Sequence, residues 1–256
     1  MNFTFEQDIH STTLLTAIRS LVPQMPAESR LLFVSSEEVV WKSIGHDSFY
    51  LDLVIQHLCE SGEVTDDEFG ESFLFIEDVL SLTHLFNTLD SPQIKVSAAH
   101  TGTTPARHSF NALRKLNTVN LTPEQRIIAR VAAVIHDMGK VLIAAKDYAM
   151  LHPQVGALLW HMYCRSSAYL DTAQLPAQFV EQIGLMITFH HLTEVMFYLT
   201  ETFTHEAVLA FFDRELLEIL EQLTYADLLS SNGNEKHLPA SQEQFRVLLS
   251  DQAVTV

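Results

Sequence analysis

The stretch TPEQRIIARVAAVIHDMGK, residues 122–140, decides how the chain is read. Thr122, Pro123 and Gln125 form a helix start: a capping hydroxyl, a proline where no N–H is needed, and a capping-box amide. Ile127, Ile128, Val131, Ala132 and Ile135 recur at helical spacing, and Gly139 is placed to stop the helix in the left-handed conformation. His136 follows Ala133, Ala132 and Ala129 by three, four and seven residues, on a stripe of small residues that lets another backbone or an ion come close. Asp137 stands beside it at the helix end.

The same signals recur outward. Thr104 caps a helix whose first residue is Pro105, Pro153 and Pro176 start two more, and residues 206–230 carry an apolar face through Leu209, Phe212, Leu216, Leu220 and Leu223. Upstream, helical periodicity is read at 4–22, 49–59 and 69–89, while Leu31–Val34 fits a short strand or a helical turn. The turn-rich interval Asp90–Thr104 makes the best boundary. The expected fold is all-α, with a mainly helical region over 1–95, a helical bundle over 100–232 and a polar tail over 233–256, in which Phe245–Leu249 could pack as a last turn.

Fifteen basic residues against 32 acidic ones give a net charge of −17, which repels a phosphate backbone and argues against long nucleic acids as partners. No run approaches the ~18 apolar residues of a membrane span, and Glu6 and Asp8 occupy the place of a basic leader segment. Cys59 and Cys164, without a CxxC pattern, fit free thiols, so the cytoplasm is the expected location. Thirteen histidines remain to be explained.

Asp227 lies four, seven and eleven residues after Leu223, Leu220 and Leu216, so it continues an apolar stripe and needs a cation. With few Lys or Arg nearby, buried imidazoles and carboxylates from separate helices are best neutralised by shared metal ions. The candidate ligands are His108, His136, Asp137, His152, His190, His191 and Asp227. Neighbours on a helix diverge by about 100°, so His136 with Asp137, and His190 with His191, require either two ions or distorted helix ends. Asp137 can bridge two cations through its two oxygens.

The order His108, His136-Asp137-Met138-Gly139-Lys140, His152-Pro153-Gln154-Val155-Gly156, His190-His191, Asp227 resembles the HD-domain superfamily of metal-dependent phosphohydrolases, over about residues 104–230. The resemblance implies an all-helical HD bundle. It also implies two divalent transition-metal ions (Fe, Mn, Zn or Ni), one on His108, His136, Asp137 and Asp227 and one on His152, His190 and His191, with Asp137 between them. The HDxGK and HPxxG strings are most similar to the HD-GYP-like subset. No Gly-Tyr-Pro follows His190-His191, however, and Thr104 stands where trinuclear members carry a Glu ligand, which points to two metals and away from cyclic dinucleotides.

The activity so implied is hydrolysis of a small nucleotide-like phosphate ester or anhydride by metal-activated water, with Asp137 and Lys140 as catalytic residues and Lys140 reaching a phosphate oxygen. The alternatives are an HD-type di-iron oxygenase and a non-catalytic signalling scaffold. The N-terminal region could serve a protein partner or a homo-oligomer.

Other residues take plainer readings. His161, half a rotation from His152, is structural; Arg107 and Arg130 are solvated by default although either could meet phosphate; Trp41 and Trp160 pack. Glu63, Asp66, Asp67 and Glu68 form a solvated loop and helix start, and Phe69, Phe73 and Phe75 form core or an interaction face. Lys140 could serve only the helix dipole. His100 is the rival to His108.

Overall fold

A computed structural model of the chain describes residues 46–91, 103–141, 152–167, 175–198, 204–231 and 233–252. The helix expected over 4–22, the Leu31–Val34 segment, Trp41 and His100 lie outside them. The fold is all-α, with no strand among the described residues. The helices are α1 (46–60), α2 (Asp66–Phe69), α3 (Ser72–Leu80), α4 (His84–Leu89), α5 (Pro105–Lys115), α6 (Pro123–Ile135), α7 (His152–Ser166), α8 (Ala177–Phe189), α9 (Leu192–Tyr198), α10 (His205–Phe211), α11 (Arg214–Ser230) and α12 (Leu238–Gln252). A 3-10 turn, Met138–Val141, follows α6. No helix among the described residues is long and apolar enough to cross a membrane.

Helix α6 is the axis. Its capping box forms as the sequence predicts, with Thr122 and Gln125 each satisfying the other's backbone N–H. Every residue from Ile128 to Ile135 is buried, and α5, α8 and α11 pack around it. A helix buried on all sides belongs at a domain centre. Arg130, on that helix, is 1% exposed, not solvated. Its guanidinium donates to the carbonyls of Ser61 and Val64 and to Asp66, and lies 4.0 Å from the centre of the Phe69 ring. The loop 61–66 is thereby fastened to the bundle, and α1 to α4 share one continuous core with the later helices.

Several elements depart from the expected bounds, each for a local reason. The helix read over 69–89 is two short ones, α3 and α4, with α2 ending at Phe69, and the Thr83 hydroxyl caps α4. Asp47, fully buried, also accepts from the backbone of His84 and Leu85. The segment read over 206–230 breaks at Phe212, where the Asp213 carboxylate caps α11. The polar tail instead forms α12, whose Phe245 and Leu248 are completely buried beside α11.

Gly139 is not a left-handed stop; among the described glycines only Gly233 has positive φ, at 84°. Gly139 is small because two backbones meet there. A Cβ on it would lie 2.0 Å from the His152 carbonyl oxygen and 2.6 Å from the Gly156 nitrogen. This contact seats the 3-10 turn against α7 and explains why HDxGK and HPxxG each carry a glycine.

Candidate metal centre

The side chains of all seven candidate ligands converge from five helices or their ends. His108 comes from α5 and Asp227 from α11, while His152 is the first residue of α7. His136 caps the C-terminus of α6 with Asp137 directly beyond it, and His190 caps α8 with His191 beyond. The members of each adjacent pair lie close together at a helix end: the His190 and His191 ring centroids are 4.3 Å apart, and His136 Nε2 is 3.8 Å from Asp137 Oδ2. His108, His136 and Asp227 form one set, His152, His190 and His191 another, and within each set the ligand atoms lie within 4.8 Å of one another.

Asp137 stands between the sets. Its Oδ2 lies 3.7 Å from His108 Nε2 and 3.8 Å from His136 Nε2, and its Oδ1 lies 3.1 Å from His152 Nε2. Buried Oδ1 accepts no hydrogen bond of good geometry despite that proximity, an arrangement suited to a cation and costly without one. Lys140 Nζ donates to Asp137 Oδ2 at 2.5 Å and is itself buried. In this arrangement the lysine neutralises the Asp137 carboxylate instead of reaching outward.

The outer hydrogen bonds aim the rings. His136 Nδ1 donates to the Ala133 carbonyl at 2.9 Å and His190 Nδ1 to the Ile187 carbonyl at 2.7 Å. His191 Nδ1 donates to Glu194 Oε2 at 2.8 Å. Carbonyl and carboxylate oxygens only accept, so each neutral ring turns a bare Nε2 lone pair away from its outer partner. His108 Nε2 donates to Asp227 Oδ1 at 2.7 Å, while Ser230 Oγ donates to the Asp227 carbonyl and lies 2.9 Å from His108 Nδ1. Nε2 atoms meet at 3.2 Å in both sets, His108 with His136 and His152 with His190, so the ring nitrogens crowd together as donors to a shared cation would.

Electrostatics agree. Burial alone would push both carboxyls up, but Lys140 and His136 hold Asp137, and His108 and His136 hold Asp227, well below the usual carboxylate range. Burial and Lys140 bring His152 down to about 4, and burial with the surrounding histidines puts His190 well below its ordinary value. Burial opposes protonation of His136 too, yet Asp137 and Asp227 outweigh it and raise that pKa. Buried His and Asp groups here can hold a metal ion.

No family model, curated protein or solved structure matches the chain.

Of the remaining sequence candidates, His161 packs against Gly184, and Arg107 is exposed and pairs with Asp90 at 3.5 Å. Ser230, Glu194 and Thr224 were not singled out from sequence. Ser230 and Glu194 each lie three residues beyond a candidate ligand, one helical turn away, which is the one signal that could have found them. A cavity of about 590 Å³ lies between α3, α4 and α5, with Ser230 in its wall and none of the candidate ligands among the described residues that line it.

Proposed function

We propose that the protein is a metal-dependent phosphohydrolase of the HD type, holding two divalent transition-metal ions and acting on a small nucleotide-like phosphate ester or anhydride. The observation that carries this reading is Asp137, whose two oxygens face two separate histidine sets. His108, His136, Asp137 and Asp227 would hold one ion and His152, His190 and His191 the other, with Asp137 between them. Such a pair, when bound, lowers the pKa of a coordinated water and polarises a phosphoryl oxygen.

The chain's own residues orient this chemistry. The outer hydrogen bonds keep the imidazoles of His136, His190 and His191 in one tautomer, so these donor atoms need little rearrangement on binding. His191 is the most exposed ligand, its side chain 26% accessible, so substrate reaches the centre from the His152–His190–His191 side. Lys140 supplies a fixed positive charge beside the bridging carboxylate, where negative charge develops on a phosphoryl group. Lys140→Ala is expected to leave metal bound as tightly or more tightly, since a like charge is removed, while kcat falls about 10- to 100-fold. Chelator competition alongside turnover checks both halves.

Ligation needs a neutral His136, whose proton Asp137 and Asp227 favour. Metal binding near pH 6.5 should therefore expel about one proton, and affinity should weaken as pH falls through the raised His136 value. His152, at about 4, adds no such dependence above pH 5. Calorimetric titration with Zn²⁺ in buffers of different ionisation enthalpy measures the proton count, and a count of zero contradicts the assignment.

The functional test is purification without a metal-binding tag, analysis for Fe, Mn, Zn and Ni, and a screen of reconstituted protein against nucleotides, cyclic nucleotides, dinucleoside polyphosphates and phosphodiesters. A variant lacking both His136 and Asp137 is the blank. Hydrolysis absent from the blank supports the reading. Less than half an equivalent of every metal in each preparation overturns it in favour of a scaffold, and O₂ uptake by an iron-loaded form without hydrolysis overturns it in favour of an oxygenase.

A further inference from the structure

Helix α11 delivers more to the centre than Asp227. Thr224, Asp227 and Ser230 follow one another at intervals of three, so they form a row along one side of the helix. Thr224 is 2% exposed and donates across the helix interface to the His190 carbonyl at 3.2 Å. A threonine inside a helix ordinarily returns its hydroxyl to a carbonyl of the preceding turn. Here the hydroxyl satisfies a carbonyl at the end of α8, where the last turn has no partner of its own. At the other end of the row, the Ser230 hydroxyl donates to the Asp227 carbonyl and lies 2.9 Å from His108 Nδ1, so that once His108 Nε2 is given to an ion instead of to Asp227, the ring N–H faces this oxygen.

We propose that Thr224 and Ser230 are positioning residues, one for each ion, and that α11 acts as a single strut setting both halves of the centre in register. Ser230 fixes the plane and tautomer of His108 in the half that contains Asp227. Thr224 fixes the backbone from which His190 and His191 project in the other half. The glycine contact at Gly139 sets how far α7 stands from the bridging residue, whereas the α11 row sets the direction of the histidines themselves. The inference rests on the two-ion reading of the centre, but it concerns residues outside the ligand set.

The test uses the full chain with Zn²⁺ and Co²⁺ as probes. Chelator competition with Zn²⁺ gives two affinities in the wild type. Ser230→Ala is expected to weaken one of them about 10- to 100-fold and Thr224→Val the other, the range that loss of an outer partner of a ligand causes. Ser230→Thr and Thr224→Ser, which keep the hydroxyl, should recover most of each loss.

In the Co²⁺ form, exchangeable ring N–H protons give separately shifted NMR signals. Ser230→Ala should remove the His108 signal selectively and leave those of His136 and His190. A merely structural role would lower urea stability and broaden all the signals together. Equal weakening of both affinities by each variant, or unchanged affinities and signals, overturns the proposal while the wild-type titration still shows two ions. A wild type that binds no Co²⁺ or Zn²⁺ overturns the two-ion reading, and this inference with it.

Discussion

Asp137→Ala is expected to strip the protein of both ions and to abolish hydrolysis. Asp137 offers an oxygen to each side: its Oδ2 looks toward His108 and His136, and its Oδ1 toward His152. Loss of His152 would remove one donor from one ion, whereas loss of Asp137 removes a donor from each and the negative charge between them. Bound metal should fall from about two equivalents to below half of one, with turnover reduced at least ~10³-fold, the scale lost when a key electrostatic element is removed. The substitution also leaves Lys140, 10% accessible at its side chain, facing no carboxylate at this position. Breaking a buried pair from one side costs about 3–5 kcal/mol, so a lower urea midpoint should accompany the metal loss. Asp137→Asn separates the effects, since it keeps the shape and one potential donor oxygen. It should retain more structure and still lose most activity. Full metal content in Asp137→Ala, measured by elemental analysis, would refute the bridging assignment.

Gly139→Ala should be nearly as damaging, although the residue contributes no functional group. The added methyl carbon would lie 2.0 Å from one backbone atom and 2.6 Å from another, distances that no rotamer change relieves because the obstacles are main chain. The 3-10 turn must then move from α7, separating Asp137 from His152. Overpacking a close contact costs about 1–3 kcal/mol and occasionally more; here the upper end is expected, together with loss of metal from the His152 set. Denaturant unfolding and metal analysis of the same sample test this. Gly233→Ala is the control, for at φ 84° it meets no neighbour within 4 Å and should cost about 1 kcal/mol from backbone strain alone, with metal unaffected.

These two positions illustrate what could be read in the sequence. The α6 helix was legible because its start is written in side chains that act locally: a threonine, a proline and a glutamine at fixed offsets. Asp227 was legible as a carboxylate on an apolar stripe, and it is 7% exposed. Gly139 was visible as an important glycine, but its role was misread because a tight backbone contact leaves no local trace. Arg130 could not be recognised as a clamp for the same reason; its partners, Ser61, Val64 and Asp66, lie more than sixty residues away. Helix α12 escaped because Phe245 and Leu248 stand among serines, glutamines and acids, and packing on α11 supplies the stability that a weak pattern does not advertise. The adjacent ligand pairs looked awkward only while ideal helices were assumed throughout. His136 and His190 are both helix caps, with Asp137 and His191 in the turns that follow.

The spread of the centre along the chain, from His108 to Asp227, also governs when metal can be taken up. Contacts of such long sequence separation close late, after the intervening loops have surrendered their entropy. A nascent or partly folded chain would offer an ion at most an adjacent pair such as His136-Asp137 or His190-His191, so acquisition is expected to follow folding instead of guiding it. A bound metal would then act on the lifetime of the native state, slowing its unfolding while leaving the rate of folding almost untouched.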